Sequence, residues 1–346
     1  MIQIVNWLLT RKCNLSCEYC SIVRNYSDKP KEYPNMEYYY KNELTTEEIF
    51  HGLSIFKKHN PDIFVIWYGG EPLLRKDLPL IIDYCNKMNI HYTIISNNTN
   101  PIKERIYNLL RTCNVKGFSG SCDPILELPA KTDSDQKSLA ALLSLKEYRK
   151  FCPDVVAEIT IMKHNQHLLY EHVKKLSEDG ISSSITFIDV SKNAYYDFSN
   201  IKDESLLVSQ NSVLSEQFQK LMDDSSLNIH MKEQLLPLIW QILPSNLDCK
   251  IDKNLHNITV DADGSLRLCL RIRGVAATKF NLKSGTFFAK NLQVSLEVMQ
   301  AISEDKKRYC QLCNHTCQLM SLLVEKNSVL KDSLIHTELR KNNDYS

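Results

Sequence analysis

The chain is short of several things, and each shortage excludes something. Its 346 residues contain only nine glycines and no internal repeat or low-complexity tract, which excludes collagen-like, solenoid and prion-like architectures. No charge of one sign dominates: 42 Lys+Arg stand against 41 Asp+Glu, a formal net charge of +1, so no whole-chain field draws the protein to phosphate backbones or anionic membranes. No run approaches the roughly 18 apolar residues that a membrane-spanning helix needs. The opening MIQIVNWLLTRKC is apolar for only about nine residues and carries its Arg11-Lys12 pair after that run, whereas a secretory signal carries its charge before it. A cytoplasmic protein without general nucleic-acid or membrane binding is expected. No leader-peptide-binding unit precedes the first expected strand at residue 3, a reading that disfavours ribosomal-peptide maturation unless another chain supplies the leader contact.

What is present is enough for one barrel-sized core and a smaller module, with 43% apolar residues. Over the first two hundred residues, β-branched runs alternate with amphipathic stretches. Strands are expected near 3–9, 62–68, 91–97, 115–121, 155–162 and 184–190. Helices are expected over Thr45–Lys58, opened by a Thr-Thr-Glu-Glu cap, and over Leu78–Met88, Lys103–Thr112, Ser138–Lys150 and Leu168–Glu178. Six such units with right-handed crossovers predict an α/β fold, a partial (β/α)6 parallel barrel, with its site at the carboxyl ends of the strands. Residues 21–42, with Pro30, Pro34 and five tyrosines, read equally well as a functional loop or a tolerated insertion. The pattern changes near Asp223, placing a barrel at 1–222 and a small cysteine-rich β-hairpin/helix module at 223–346.

Cysteine is the residue in surplus. Of twelve, eight fall in tight clusters or hairpin-linked positions, which without an export signal favours metal ligation over disulfides. Cys13, Cys17 and Cys20 follow the first strand within eight residues. Three thiolates on one loop leave one iron of a cubane 4Fe–4S cluster without a protein ligand, as inner-sphere chemistry requires. A structural zinc site wants a fourth ligand, and the nearest histidine is His51, beyond the tyrosine-rich loop.

This C-x3-C-x2-C loop after the first strand, with Tyr19 just before the third cysteine, resembles the signature of the radical S-adenosylmethionine (radical SAM) superfamily. The resemblance implies that Cys13, Cys17 and Cys20 ligate the cluster, that its open iron chelates S-adenosylmethionine, and that Tyr19 lies near the adenine. The second strand runs into Gly69-Gly70-Glu71, similar to the family's GGE motif for the methionyl amine; read physically, the glycines permit close backbone approach and Glu71 offers a neutralising acceptor. Strand three ends in Ser96-Asn97-Asn98-Thr99, where relatives carry a TNG-like turn. Asn98 replaces the glycine, and asparagine tolerates the left-handed conformation such a turn needs. Strand four ends in Ser121-Cys122-Asp123, like the family's S-x-D; alternation puts Ser121 and Asp123 on one face and Cys122 on the other, so that if the shared face points into the barrel, Ser121 or Asp123 touches ribose or substrate and Cys122 packs against helices. Glu158 and Thr160 share a parity in an apolar strand, which makes Glu158 either a functional barrel-interior carboxylate or the sign of a register one residue off. Cys85, Cys113 and Cys152 are expected as small core residues.

A second set comprises Cys249, Cys269, Cys310, Cys313 and Cys317, with a hairpin around Asp263-Gly264 bringing Cys269 back toward Cys249. It resembles the twitch module, the half-sized SPASM domain, which implies one auxiliary 4Fe–4S cluster on Cys249, Cys269, Cys310 and Cys313, with Cys317 spare or exchanged with one of them. A structural zinc ribbon is the competing reading.

The resemblance implies reductive cleavage of S-adenosylmethionine to a 5'-deoxyadenosyl radical and hydrogen abstraction from a peptide or small-molecule substrate. Net oxidation or bond formation would follow, with electrons from a reducing partner such as flavodoxin or ferredoxin. Substrate contacts are expected from the tyrosine-rich loop and from residues after Phe280. The alternatives are a non-catalytic iron–sulfur electron carrier or a zinc-stabilised binding protein, and neither needs the Gly69–Glu71 turn.

Overall fold

A computed structural model describes residues 2–15, 42–99, 102–124, 133–187, 211–230, 257–267 and 281–284, with scattered single positions between 208 and 304; side chains of 133–140 and 284 are outside the description. The elements follow the expected alternation: β1 (Ile4–Leu8), α1 (Thr46–His59), β2 (Phe64–Tyr68), α2 (Leu78–Lys87), β3 (His91–Ser96), α3 (Lys103–Thr112), β4 (Gly117–Ser121), α4 (Asp133–Tyr148), β5 (Asp154–Ile161), α5 (Leu169–Glu178), β6 (Ser182–Phe187), α6 (Ser212–Asp223), β7 (Asn257–Val260) and β8 (Leu266–Arg267). The predicted cap is in place: Thr45 accepts from the Glu48 amide while Glu48 reaches back to the Thr45 amide. α4 begins five residues earlier than its apolar periodicity suggested, because Asp133–Lys137 are polar yet helix-compatible.

The strands form one eight-stranded sheet in the order β6-β5-β4-β3-β2-β1-β7-β8, parallel throughout except for the antiparallel β7–β8 hairpin. The hairpin turns where the Asp-Gly signal placed it, with Gly264 at φ +83°, a conformation that disfavours a side chain. What the pattern did not show is its partner: β7 pairs in parallel with β1, so the hairpin widens the sheet on the edge that carries the first cysteine loop.

Register sorts the strands into two rows. Trp7, Trp67, Ile94, Phe118 and Val155 are successive partners and face the helices; all are buried, with Phe56 of α1 edge-on to Trp7 and Tyr148 of α4 edge-on to Phe118. Residues of the other parity, among them Thr93, Ser119, Ser121, Glu158 and Ser184, line the face turned away from the helices, here called the inner face. Among the described residues no helix is long and apolar enough to cross a membrane.

Candidate functional site at the carboxyl ends of the strands

Beyond β1, residues Thr10 to Asn14 form the stem of the cysteine loop, and the protein grips this stem from four sides. The β1–β2 pairing continues past the strand ends, with the Gly70 amide donating to the Thr10 carbonyl and the Glu71 amide to the Lys12 carbonyl, each at 2.8 Å. A Cβ on Gly69 would lie 2.4 Å from the Thr10 carbonyl oxygen, and one on Gly70 would lie 2.3 Å from that of Lys12. Both contacts are with backbone, so no side chain fits at either position without parting the two segments. The close backbone approach that the glycines permit is thus made to the cysteine loop.

Glu71 is fully buried, and its carboxylate accepts from the Leu73 amide (3.1 Å), the Ser96 hydroxyl (3.1 and 3.2 Å) and the Asn97 amide (2.8 Å). It therefore ties the β2 turn to the end of β3, a role that sequence reasoning, looking for a ligand acceptor, did not assign. Asn97 continues the chain of contacts: its Nδ2 donates to Asn14 Oδ1 at 2.9 Å and lies 3.6 Å from Cys13 Sγ, while its Oδ1 accepts from the Thr99 hydroxyl and amide. The Leu15 amide also donates to Cys13 Sγ, at 3.4 Å. N–H donors aimed at one sulfur suit a thiolate, the form in which cysteine binds iron.

The third grip is Glu43, just before α1, whose Oε1 accepts from the Thr10 hydroxyl (2.7 Å) and the Arg11 amide (3.1 Å). The fourth comes from the hairpin: the buried guanidinium of Arg11 pairs with buried Asp261, which also pairs with Arg267 of β8. Arg75 adds a tie behind the site, donating to the Leu9 and Leu44 carbonyls. Glu43, Arg75, Asp261 and Arg267 escaped the sequence reading because nothing in local spacing links them to the cysteine loop, from which Asp261 is 250 residues away.

Asn98 has φ +54°, the left-handed conformation expected of it, and its side chain donates to the Ala141 carbonyl of α4. Ser121 and Asp123 lie on the inner-face parity. Asp123 Oδ1 accepts from the Thr160 amide at 2.8 Å, joining the ends of β4 and β5. Cys122 is fully buried on the helix side, and its carbonyl accepts from His172 Nε2 of α5 at 2.8 Å. Burial pushes the Cys122 thiol far above its usual range and lowers the His172 imidazole to about 4. Cys85 and Cys152 are likewise buried, with burial raising Cys152 to about 12, and Cys113 packs against the core. Cys17, Cys20 and Tyr19 lie outside the described residues, as do Cys249, Cys269, Cys310, Cys313, Cys317 and the tyrosine-rich loop through residue 41.

The fold agrees with comparison to known proteins. Residues 7–186 match the radical SAM superfamily. Fe-coproporphyrin III synthase of Methanosarcina barkeri is 28% identical over 166 residues, 47% of this chain and 38% of that protein. Radical SAM cyclopropyl synthase TigE of Paramaledivibacter caminithermalis is 24% identical over 218 residues, 58% of this chain and 44% of that one. The chain thus spans less than half the length of these two relatives. The fold is similar to Streptococcus suis SuiB, with TM-score 0.54 and 15% identity to its S-adenosylmethionine-bound structure over 81% of this chain and 61% of that one. With SuiB bound to its precursor peptide SuiA the values are 0.57 and 14%, over 91% and 75%. Because the family match spans just over half of the 346 residues and includes the cysteine loop, strands β2 to β5 and all but the last residue of β6, this chain belongs to the radical SAM superfamily, whose members bind a 4Fe–4S cluster and S-adenosylmethionine.

Proposed function

We propose that this chain is a radical SAM enzyme that holds its 4Fe–4S cluster on Cys13, Cys17 and Cys20 and abstracts a hydrogen atom from a peptide or small-molecule substrate. The observation that carries the reading is the docking of the Cys13 stem, backbone to backbone, on the Gly69–Glu71 turn, with Asn97 reaching the Cys13 sulfur. When bound, the cluster and S-adenosylmethionine supply the one-electron cleavage that yields a 5'-deoxyadenosyl radical. The protein's own part is placement. Glu71 and Asn97 hold the strand ends in register with the stem, and Tyr19, Gly69, Gly70, Ser121 and Asp123 supply the surface on which methionyl, ribose and adenine parts rest. A peptide substrate finds support in the likeness to SuiB, a protein crystallised with a precursor peptide.

The C-terminal cysteines Cys249, Cys269, Cys310 and Cys313, with Cys317 spare or exchanged, would hold an auxiliary 4Fe–4S cluster in a SPASM/twitch-type module over 223–346, suited to accept the electron of a net oxidation. The test is anaerobic reconstitution with iron and sulfide, then dithionite and S-adenosylmethionine. Deoxyadenosine from wild type but not from Cys17→Ala, with about eight irons falling to about four, is the expected result. Zinc without sulfide, or no deoxyadenosine under any reductant, overturns the reading.

A further inference from the structure

Glu158 is a chemically capable side chain that the reading above does not use. Strand register settles the choice that its sequence left open, since Ser121 pairs with Glu158 and Glu158 with Ser184, placing the carboxyl on the inner face. Continuing the β3–β4 register by one residue sets Asn97 beside Ser121. One inner-face row therefore runs Asn97, Ser121, Glu158, Ser184, and two strand spacings, roughly 10 Å, separate Glu158 from the asparagine that reaches Cys13.

Among the described residues, the side chains that meet Glu158 are polar and uncharged. The hydroxyls of Ser184 and Ser119 hydrogen-bond its carboxyl, and burial raises it above the usual carboxylate range despite them. It forms no ion pair with a described residue. The nearest titratable group of the same parity on its neighbouring strands is Asp123, itself acidic and bonded to the Thr160 amide; the described strand β6 carries no charged residue. Two hydroxyls leave acceptor capacity on the carboxylate, and no described residue supplies its ionised form with a countercharge. A neutral ligand would not supply one, and an ammonium would.

We propose that Glu158, flanked by Ser119 and Ser184, anchors a positively charged primary amino group of the substrate on the inner face, and so selects an amine-bearing substrate such as a lysine-containing peptide. This proposal rests on the radical SAM reading and adds the substrate class to it.

The test uses the full chain, reconstituted anaerobically with S-adenosylmethionine and labelled with 13C at the glutamate carboxyl. Isotope-edited infrared difference spectra at neutral pH follow the Glu158 band, assigned by its loss in Glu158→Gln, or by its displacement in Glu158→Asp should the amide variant not fold. The probes are Nα-acetyl-lysine amide and Nα-acetyl-norleucine amide, which differ at the side-chain end by the amino group. The expected result is a shift of the Glu158 band by the lysine probe alone, with its binding weakened at least tenfold in Glu158→Gln or Glu158→Asp. An unmoved band or an equal response to both probes overturns the proposal. Deoxyadenosine formed by the same wild-type samples with dithionite separates the two failures. Its absence overturns the radical reading and the substrate anchor with it, whereas its presence beside an unmoved band overturns the anchor alone.

Discussion

The two faces of the same strands do opposite work. Toward the helices, the row Trp7, Trp67, Ile94, Phe118 and Val155 is apolar and buried; on the inner face, the row Asn97, Ser121, Glu158 and Ser184 is entirely polar. A sheet that needed only stability would bury apolar groups on both faces, as parallel sheets commonly do. Here one face carries the apolar core and the other presents a polar row that meets the strand ends beside the candidate site.

Substitutions on the two faces should therefore separate stability from function. The largest stability loss is expected from Phe118→Ala, which empties a fully buried ring site against Tyr148; about 4 kcal/mol by denaturant unfolding is the expected cost. A loss below 1 kcal/mol would mean that the helix-facing row is not the core. Next, Glu71→Ala strips an acceptor from the Leu73 amide, the Asn97 amide and the Ser96 hydroxyl, and about 3 kcal/mol is expected. Because those groups adjoin the Cys13 stem, the variant should also lose iron on reconstitution, a loss that Phe118→Ala should not share while it remains folded.

His172 sharpens the comparison through pH. Burial lowers its imidazole from the usual 6.5 to about 4, so between those values the unfolded chain binds the extra proton. Stability falls as pH drops from 6.5 to about 4 and loses nothing more from this group below that. The contribution reaches about 3 kcal/mol at the acid end. Unfolding of His172→Gln measured at several pH values should lack this component, and an unchanged pH dependence would refute it. The smallest effect belongs to the inner face: Ser119→Ala should change stability by less than about 1 kcal/mol, since its hydroxyl serves a polar face and not the core. A cost comparable to that of Phe118→Ala would erase the distinction between the faces.

Much of this was legible along the chain. The strand and helix alternation reads directly because apolar period and capping chemistry are local, as the Thr45–Glu48 box shows. The left-handed Asn98 and the Gly264 turn were readable for the same reason. Glu158 was not, because its meaning turns on a one-residue register that only pairing with Ser121 and Ser184 decides. The Gly69-Gly70 pair was legible as a place of close approach, but what approaches is the carbonyl backbone of Thr10 and Lys12.

The sequence by itself determined the family resemblance, the six alternating units and the positions of the cysteines, since these depend on residue type, spacing and periodicity over a few turns of chain. Only the tertiary structure decided that β7 joins β1, that Asp261 grips Arg11 beside the cysteine loop, and that Glu71 spends its carboxylate between two strand ends. Those contacts join residues from 26 to 253 positions apart, and no local pattern encodes such a pairing; it exists because buried charges and strand ends must find partners once the core has closed.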